Sequence, residues 1–174
     1  MAKPLTLLRI GKRAAGVAEA SRGSLDLRRA AASGTVAGLC AAGAAAYCAR
    51  QEGATAYAPL NAVTHCVWPE RAQREQGFSV RHTVFGLGIH QAAAIFWALL
   101  FERIVPREPR RHPAALLAAA AGTAATAYVV DYHFVPKRLT PGFEAHLGPR
   151  SMTRVYAGIA LGLAAAALLR SSKR

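Results

Sequence analysis

The stretch HTVFGLGIHQAAAIFWALLF, residues 82–101, runs without a single Asp, Glu, Lys or Arg. A helix needs ~20 residues to cross the ~30 Å hydrocarbon layer of a bilayer, and this stretch reaches that length. A soluble amphipathic helix would carry a charged stripe through its middle, and none is present. Uncharged runs recur at Ala30–Ala49, His112–Val130 and Val155–Leu169. The last is short, but Arg154 and Arg170 at its ends can snorkel, and residues 151–153 can extend it. The expected fold is all-α, a bundle of four transmembrane helices at about 30–50, 80–102, 113–133 and 151–170.

The 174 residues suffice for a single domain, 53% of them hydrophobic, with a formal net charge of +13. In a soluble protein such a charge would suggest nucleic acid. Here the bases flank apolar spans instead of lining one element, which reads as topology and headgroup anchoring, so nucleic acid is excluded as a partner. Of the 22 Lys and Arg, fourteen lie in residues 1–29, in the loop after the second span (Arg103, Arg107, Arg110, Arg111) and in the tail (Arg170, Lys173, Arg174). The other eight are Arg50, Arg71, Arg74, Arg81, Lys137, Arg138, Arg150 and Arg154. The positive-inside bias then puts both termini in the cytoplasm.

Residues 1–29 form a basic amphipathic cytoplasmic segment, with Leu5, Leu7, Leu8 and Ile10 among bases, suited to lying on anionic headgroups. Their apolar core is too short for a secretory signal; a mitochondrial presequence is the alternative. Residues 30–170 make the transmembrane domain and 171–174 a cytoplasmic tail. Gly34–Gly38 and Gly158–Gly162 space small residues four apart, so both faces should meet other helices closely.

In the outer loop, residues 51–81, Pro59 suits the first turn of a short helix. Its spacing puts Asn61, His65 and Trp68 on one face. Pro69 is expected to end that element, and Ser79 to cap the second span. On that span His82, Gly86, His90, Ala93 and Trp97 share one sector. His90 lies about two turns in, so this face should turn into the bundle. The third span should start at Pro113 and stop before Pro136, with Pro141-Gly142 making a type II turn.

The densest chemistry lies at Asp131-Tyr-His-Phe-Val-Pro-Lys-Arg-Leu-Thr-Pro-Gly-Phe-Glu144. The topology gathers Asn61, His65, His82, Asp131, His133, Lys137, Arg138 and Glu144 on the outer side, with His90 beneath. Three functions follow. His82, His90, Asp131 and His133 have ligand chemistry for zinc, manganese or iron, although His82 and His90 are eight apart where helical ligand pairs are usually four apart. A bis-histidine haem would need a second histidine facing His90 within the membrane. His90 and Asp131 could relay a proton or admit a polar solute, but no matching polar group is expected in the inner half. The third, favoured, reading is structural: Asp131 pairs with Lys137, Arg138 or Arg81 to pin the outer loops, and His90 bonds Tyr128 or a threonine.

Catalytic motifs are missing: no nucleophile elbow, no phosphate-cradling glycine loop and no His-Glu-x-x-His. Cys40, Cys48 and Cys66 form no Cys-x-x-Cys pair. Cys48 and Cys66 could be bridged in an oxidising periplasm.

His82-Thr-Val-Phe-Gly86, Trp97-Ala-Leu-Leu-Phe-Glu102 and the 131–144 stretch resemble a group of small bacterial multi-pass membrane proteins, over roughly residues 55–165. The resemblance implies an inner-membrane location and carries no activity with it. The expected function is therefore a non-enzymatic structural or accessory component of the cell envelope, without a cofactor. Its expected partners are the bilayer and either another membrane protein or further copies of itself. The alternatives are a divalent-metal protein and a proton-coupled transporter.

Overall fold

A computed structural model describes the backbone of residues 4–172 and the side chains of residues 26–172. The described residues are helical with no strand: α1 (Pro4–Gln51), α2 (Ala58–Val63), α3 (Pro69–Ala72), α4 (Phe85–Ile104), α5 (Pro113–Val129) and α6 (Pro149–Ser171). Single π-helical turns precede α4 (Val80–Val84) and follow α5 (Val130–Phe134). Four segments are long and apolar enough to cross a membrane: Asp26–Gln51, Val80–Ile104, Pro113–Phe134 and Pro149–Ser171. The side-chain pattern expected of an amphipathic segment over residues 1–29 lies almost wholly outside the described residues. The backbone there continues into the first span as one helix.

The four long helices close a ring, α1 against α4 and α6, and α5 against α6 and α4. Small residues fill the centre: Ala37, Ala41, Ala45, Ala98, Ala127 and Ala167 are buried, while Leu39, Phe96, Leu117, Val129 and Leu161 point outward. Water would drive the opposite arrangement. Lipid gives no reward for burying a leucine, so close backbone approach decides which residues go inside.

The two glycine pairs serve different neighbours. A Cβ on Gly34 would stand 2.4 Å from Ile95 Cα on α4, and one on Gly162 would stand 2.5 Å from Ala37 Cα on α1. Gly158 meets Cys40 and Ala41 of α1. Thus α1 presents one small-residue face to α4 and another to α6.

Helix starts follow the sequence. Pro113 opens α5 and Pro59 lies in the first turn of α2. The Ser79 hydroxyl accepts a bond from the His82 N–H at 3.0 Å, as expected of a cap, and the Thr83 hydroxyl accepts one from the Ser79 N–H at 3.0 Å. Before Pro136, Val135 is extended (ψ 136°) and its N–H reaches back to Val130 O at 2.9 Å, closing the π turn. Gly142 takes φ +81°, the positive value that a Pro-Gly type II turn requires. Pro69 departs from expectation: it opens α3 instead of ending an element, because a proline fits a helix's first turn as readily as it stops one.

Candidate functional site

The segments 52–79 and 135–148 gather at one end of the ring, hereafter the loop end. Their organiser is Asn61, fully buried on α2. Its amide nitrogen donates to Glu75 O and Gly77 O, both at 2.9 Å, and its oxygen accepts from the Thr83 hydroxyl at 2.7 Å. One side chain thereby ties α2, the loop and the start of α4. An asparagine can fill both donor positions and its acceptor this way where no aliphatic could.

His82, also buried, sits beside it. The Thr64 hydroxyl donates to Asn61 O at 2.7 Å, so its contact of 2.8 Å with His82 Nδ1 requires that nitrogen to carry the proton. Trp68 meets the His82 ring edge-on at 5.3 Å, and Arg81 lies over Trp68 at 5.3 Å. His65 faces two carbonyls, Ala62 O at 2.9 Å and Lys137 O at 3.1 Å. A neutral ring donates to one of these and an imidazolium to both.

The expected common face of Asn61, His65 and Trp68 is not formed. The α-helix ends at Val63 and a 3-10 turn over Thr64–Cys66 breaks the spacing, sending Asn61 toward Gly77, His65 toward Lys137 and Trp68 toward His82.

In the 135–148 segment, Glu144 accepts from the Thr140 hydroxyl at 2.9 Å and the Tyr132 hydroxyl at 3.1 Å. Arg138 Nε donates to Cys66 O at 3.2 Å. Lys137 and His133 are exposed, with His133 resting edge-on against Tyr128 at 5.9 Å. The expected pairing of Asp131 with Lys137, Arg138 or Arg81 is absent. Past Pro136 the chain carries Lys137 and Arg138 outward, Arg81 lies over Trp68, and Asp131 Oδ2 accepts from the Tyr156 hydroxyl of α6 at 2.9 Å instead. His90 bonds neither Tyr128 nor a threonine; its Nε2 donates to Gly38 O of α1 at 2.9 Å, beside Phe143 at 5.5 Å. The helix face carrying His90 does turn inward, as read from the sequence.

Among the described residues no three His, Cys, Asp or Glu side chains form a group able to hold a metal. Of the four candidate ligands, His90 and Asp131 border a common cavity, whereas His82 is engaged by Thr64 and Trp68 and His133 by Tyr128. Cys40, Cys48 and Cys66 are free thiols, with Cys48 buried, so the suggested bridge between Cys48 and Cys66 is not formed.

Two functional contacts were not read from the sequence. Glu52 caps α6 from across the loop end, accepting from Gly148 N–H at 2.7 Å and from the Ser151 hydroxyl. These donors hold its carboxyl below the usual range. At the opposite end, Arg170 grips Glu102 in a forked contact of 2.7 and 3.0 Å, with Ser33 bonded to both. The Glu102 side chain is 2% exposed and Arg170 32%. The half of the bundle away from the loop end is thus not devoid of polar groups. However, Glu102 lies ~18 Å beyond His90 at ~1.5 Å per residue, and the α4 stripe between them is Ala94, Ala98 and Phe101.

No protein family, curated protein or solved structure matches the chain.

Proposed function

We propose that this is a non-enzymatic, multi-pass protein of the bacterial inner membrane, structural or accessory to another envelope component. In this reading the loop end faces the periplasm, both termini lie in the cytoplasm, and the polar cluster is a clasp. One observation carries it: the side chains of Asn61, His65, His82, Thr83 and Glu144 are engaged with loop backbone or with one another's elements. Groups held for catalysis or transport would converge on a common space, and these fan out toward separate strands of the loops. The gap of ~18 Å between His90 and Glu102, filled on α4 by Ala94, Ala98 and Phe101, likewise favours a closed bundle over a conduit.

The clasp is tested by unfolding detergent-purified Asn61→Ala and Glu144→Gln beside His133→Ala. The first two should lower stability and the third, on an exposed residue, should leave it unchanged. A reversed order contradicts the clasp. Orientation is tested with a membrane-impermeant maleimide on intact spheroplasts, where Cys66 should react from outside. Labelling that requires lysis would invert the topology.

A further inference from the structure

A cavity of about 160 Å3 that combines charge with apolar walls lies between α4, α6, the end of α2, the π turn after α5 and the 139–143 segment. Its walls include Ile89, Ala94 and Ile159, with Trp97, Phe143 and Tyr156 supplying aromatic surface. Its polar groups are Asp131 and His90, with the Thr140 hydroxyl, whose single proton is shared between Glu144 and Lys137 O. The exposed residues Ala93 and Leu139 also border it, so it opens at the surface of the bundle.

The hydrogen bonds around it leave acceptors, not donors. His90 uses its Nε2 proton on Gly38 O, so a neutral ring offers Nδ1 as a lone pair. Asp131 receives a bond from Tyr156 at Oδ2, the Trp97 indole N–H also serves its carboxyl, and, among the described residues, no Lys, Arg or His forms an ion pair with it. A carboxylate at this depth needs a counter-charge or a proton to be tolerable. The aromatic walls suit the face of a cation. A dry cavity of ~150 Å3 holds a benzene-sized body, which bounds the size of an occupant here.

We infer that this cavity is a binding site for a small organic ammonium ion with a body about the size of a six-membered ring, its charge on Asp131 and its body against Trp97, Phe143 and Tyr156. The opening lies where the span meets the loop end, between Ala93 of α4 and Leu139 of the 135–148 segment. The clasp residues Asn61, His65, His82 and Glu144 do not border the cavity, so this site stands or falls separately from the clasp.

The test uses full-length protein in detergent, with tryptophan fluorescence as readout and two probes transparent at its excitation wavelength: cyclohexylammonium and its neutral counterpart cyclohexanol. Trp97 lines the cavity, so cyclohexylammonium should produce a saturable change, and cyclohexanol should bind at least tenfold more weakly. Asp131→Asn keeps an acceptor for Tyr156 and should weaken the ammonium at least tenfold, bringing it to the level of the alcohol. Ala93→Leu fills the cavity from α4 without touching Asp131 or His90 and should abolish the saturable change. Equal affinity for the two probes in the unaltered protein overturns the inference, whether or not either variant folds. So does the absence of a saturable response to cyclohexylammonium at millimolar concentration, or an Asp131→Asn protein that binds it undiminished.

Discussion

The two ends of the bundle hold four helices together by opposite means. At the loop end the fixing is distributed: Asn61, His65, His82, Glu52 and Glu144 each make one to three hydrogen bonds to loops or helix starts. At the far end a single buried carboxylate, Glu102, is gripped by Arg170 and Ser33, joining α4, α6 and α1 at one point. Between them the core packs small residues together with Val155, Ile159 and Leu163, crossed by the His90–Gly38 and Tyr156–Asp131 bonds. Distributed bonds spread the loss of any member over several partners, some of which, such as Gly77, are exposed. A concentrated charge pair does not, since Glu102 left without Arg170 is a buried ion.

That contrast ranks the expected losses. Arg170→Ala leaves Glu102, whose side chain is 2% exposed, as an unpaired buried carboxylate and should cost about 3 kcal/mol, the low end of what breaking a buried pair costs, because Arg170 itself is about a third exposed. Unfolding by SDS in mixed micelles measures it, and the exchanged pair Glu102→Arg with Arg170→Glu should regain part of the loss. Gly162→Leu breaks the middle: its side chain must enter the backbone of Ala37, separating α6 from α1 for about 2 kcal/mol in the same assay. Asn61→Ala should cost less, about 1.5 kcal/mol, because the carbonyl of exposed Gly77 can be rehydrated. If Asn61→Ala outweighs Arg170→Ala, the contrast between the ends is wrong.

Acid sharpens the comparison with the smallest effect. Glu52 has a folded pKa below its unfolded value of ~4.3, so its stabilisation is complete above that pH and is lost as pH falls through the folded value. His146, whose pKa burial pushes below the ordinary value of ~6.5, loses stability in the same direction from a higher starting point. Unfolding followed from pH 7 downward should therefore show a shallow decline below ~6.5 that His146→Asn lessens. A further decline in the carboxylate range should be removed by Glu52→Gln.

The sequence reading located the spans well because charge and length in a bilayer are local properties. Runs ending at Ala49, Phe101, Val130 and Leu169 correspond to spans ending at Gln51, Ile104, Phe134 and Ser171. Pro113, Ser79 and the turn at Gly142 were legible for the same reason: each acts on its own backbone. Partners were not legible, because they lie far apart in the chain. Asp131 had Lys137, Arg138 and Arg81 as candidates, yet it took Tyr156, since Pro136 turns the first two away and Arg81 lies over Trp68. The glycine pairs were read as contact faces, but that α1 uses Gly34 for α4 and Ala37 for α6 needed coordinates. A signal for Glu102 and Arg170 was present: opposite charges, each closing an uncharged run, on ends that the topology brings to one side.

The most direct test of the clasp is the number of metal ions per chain in protein purified gently without an affinity tag, with its unfolding midpoint measured before and after a chelator. The account predicts far less than one equivalent of zinc, manganese or iron and an unchanged midpoint. One equivalent that leaves with the chelator and takes stability with it, and that Asp131→Asn also removes, would contradict it.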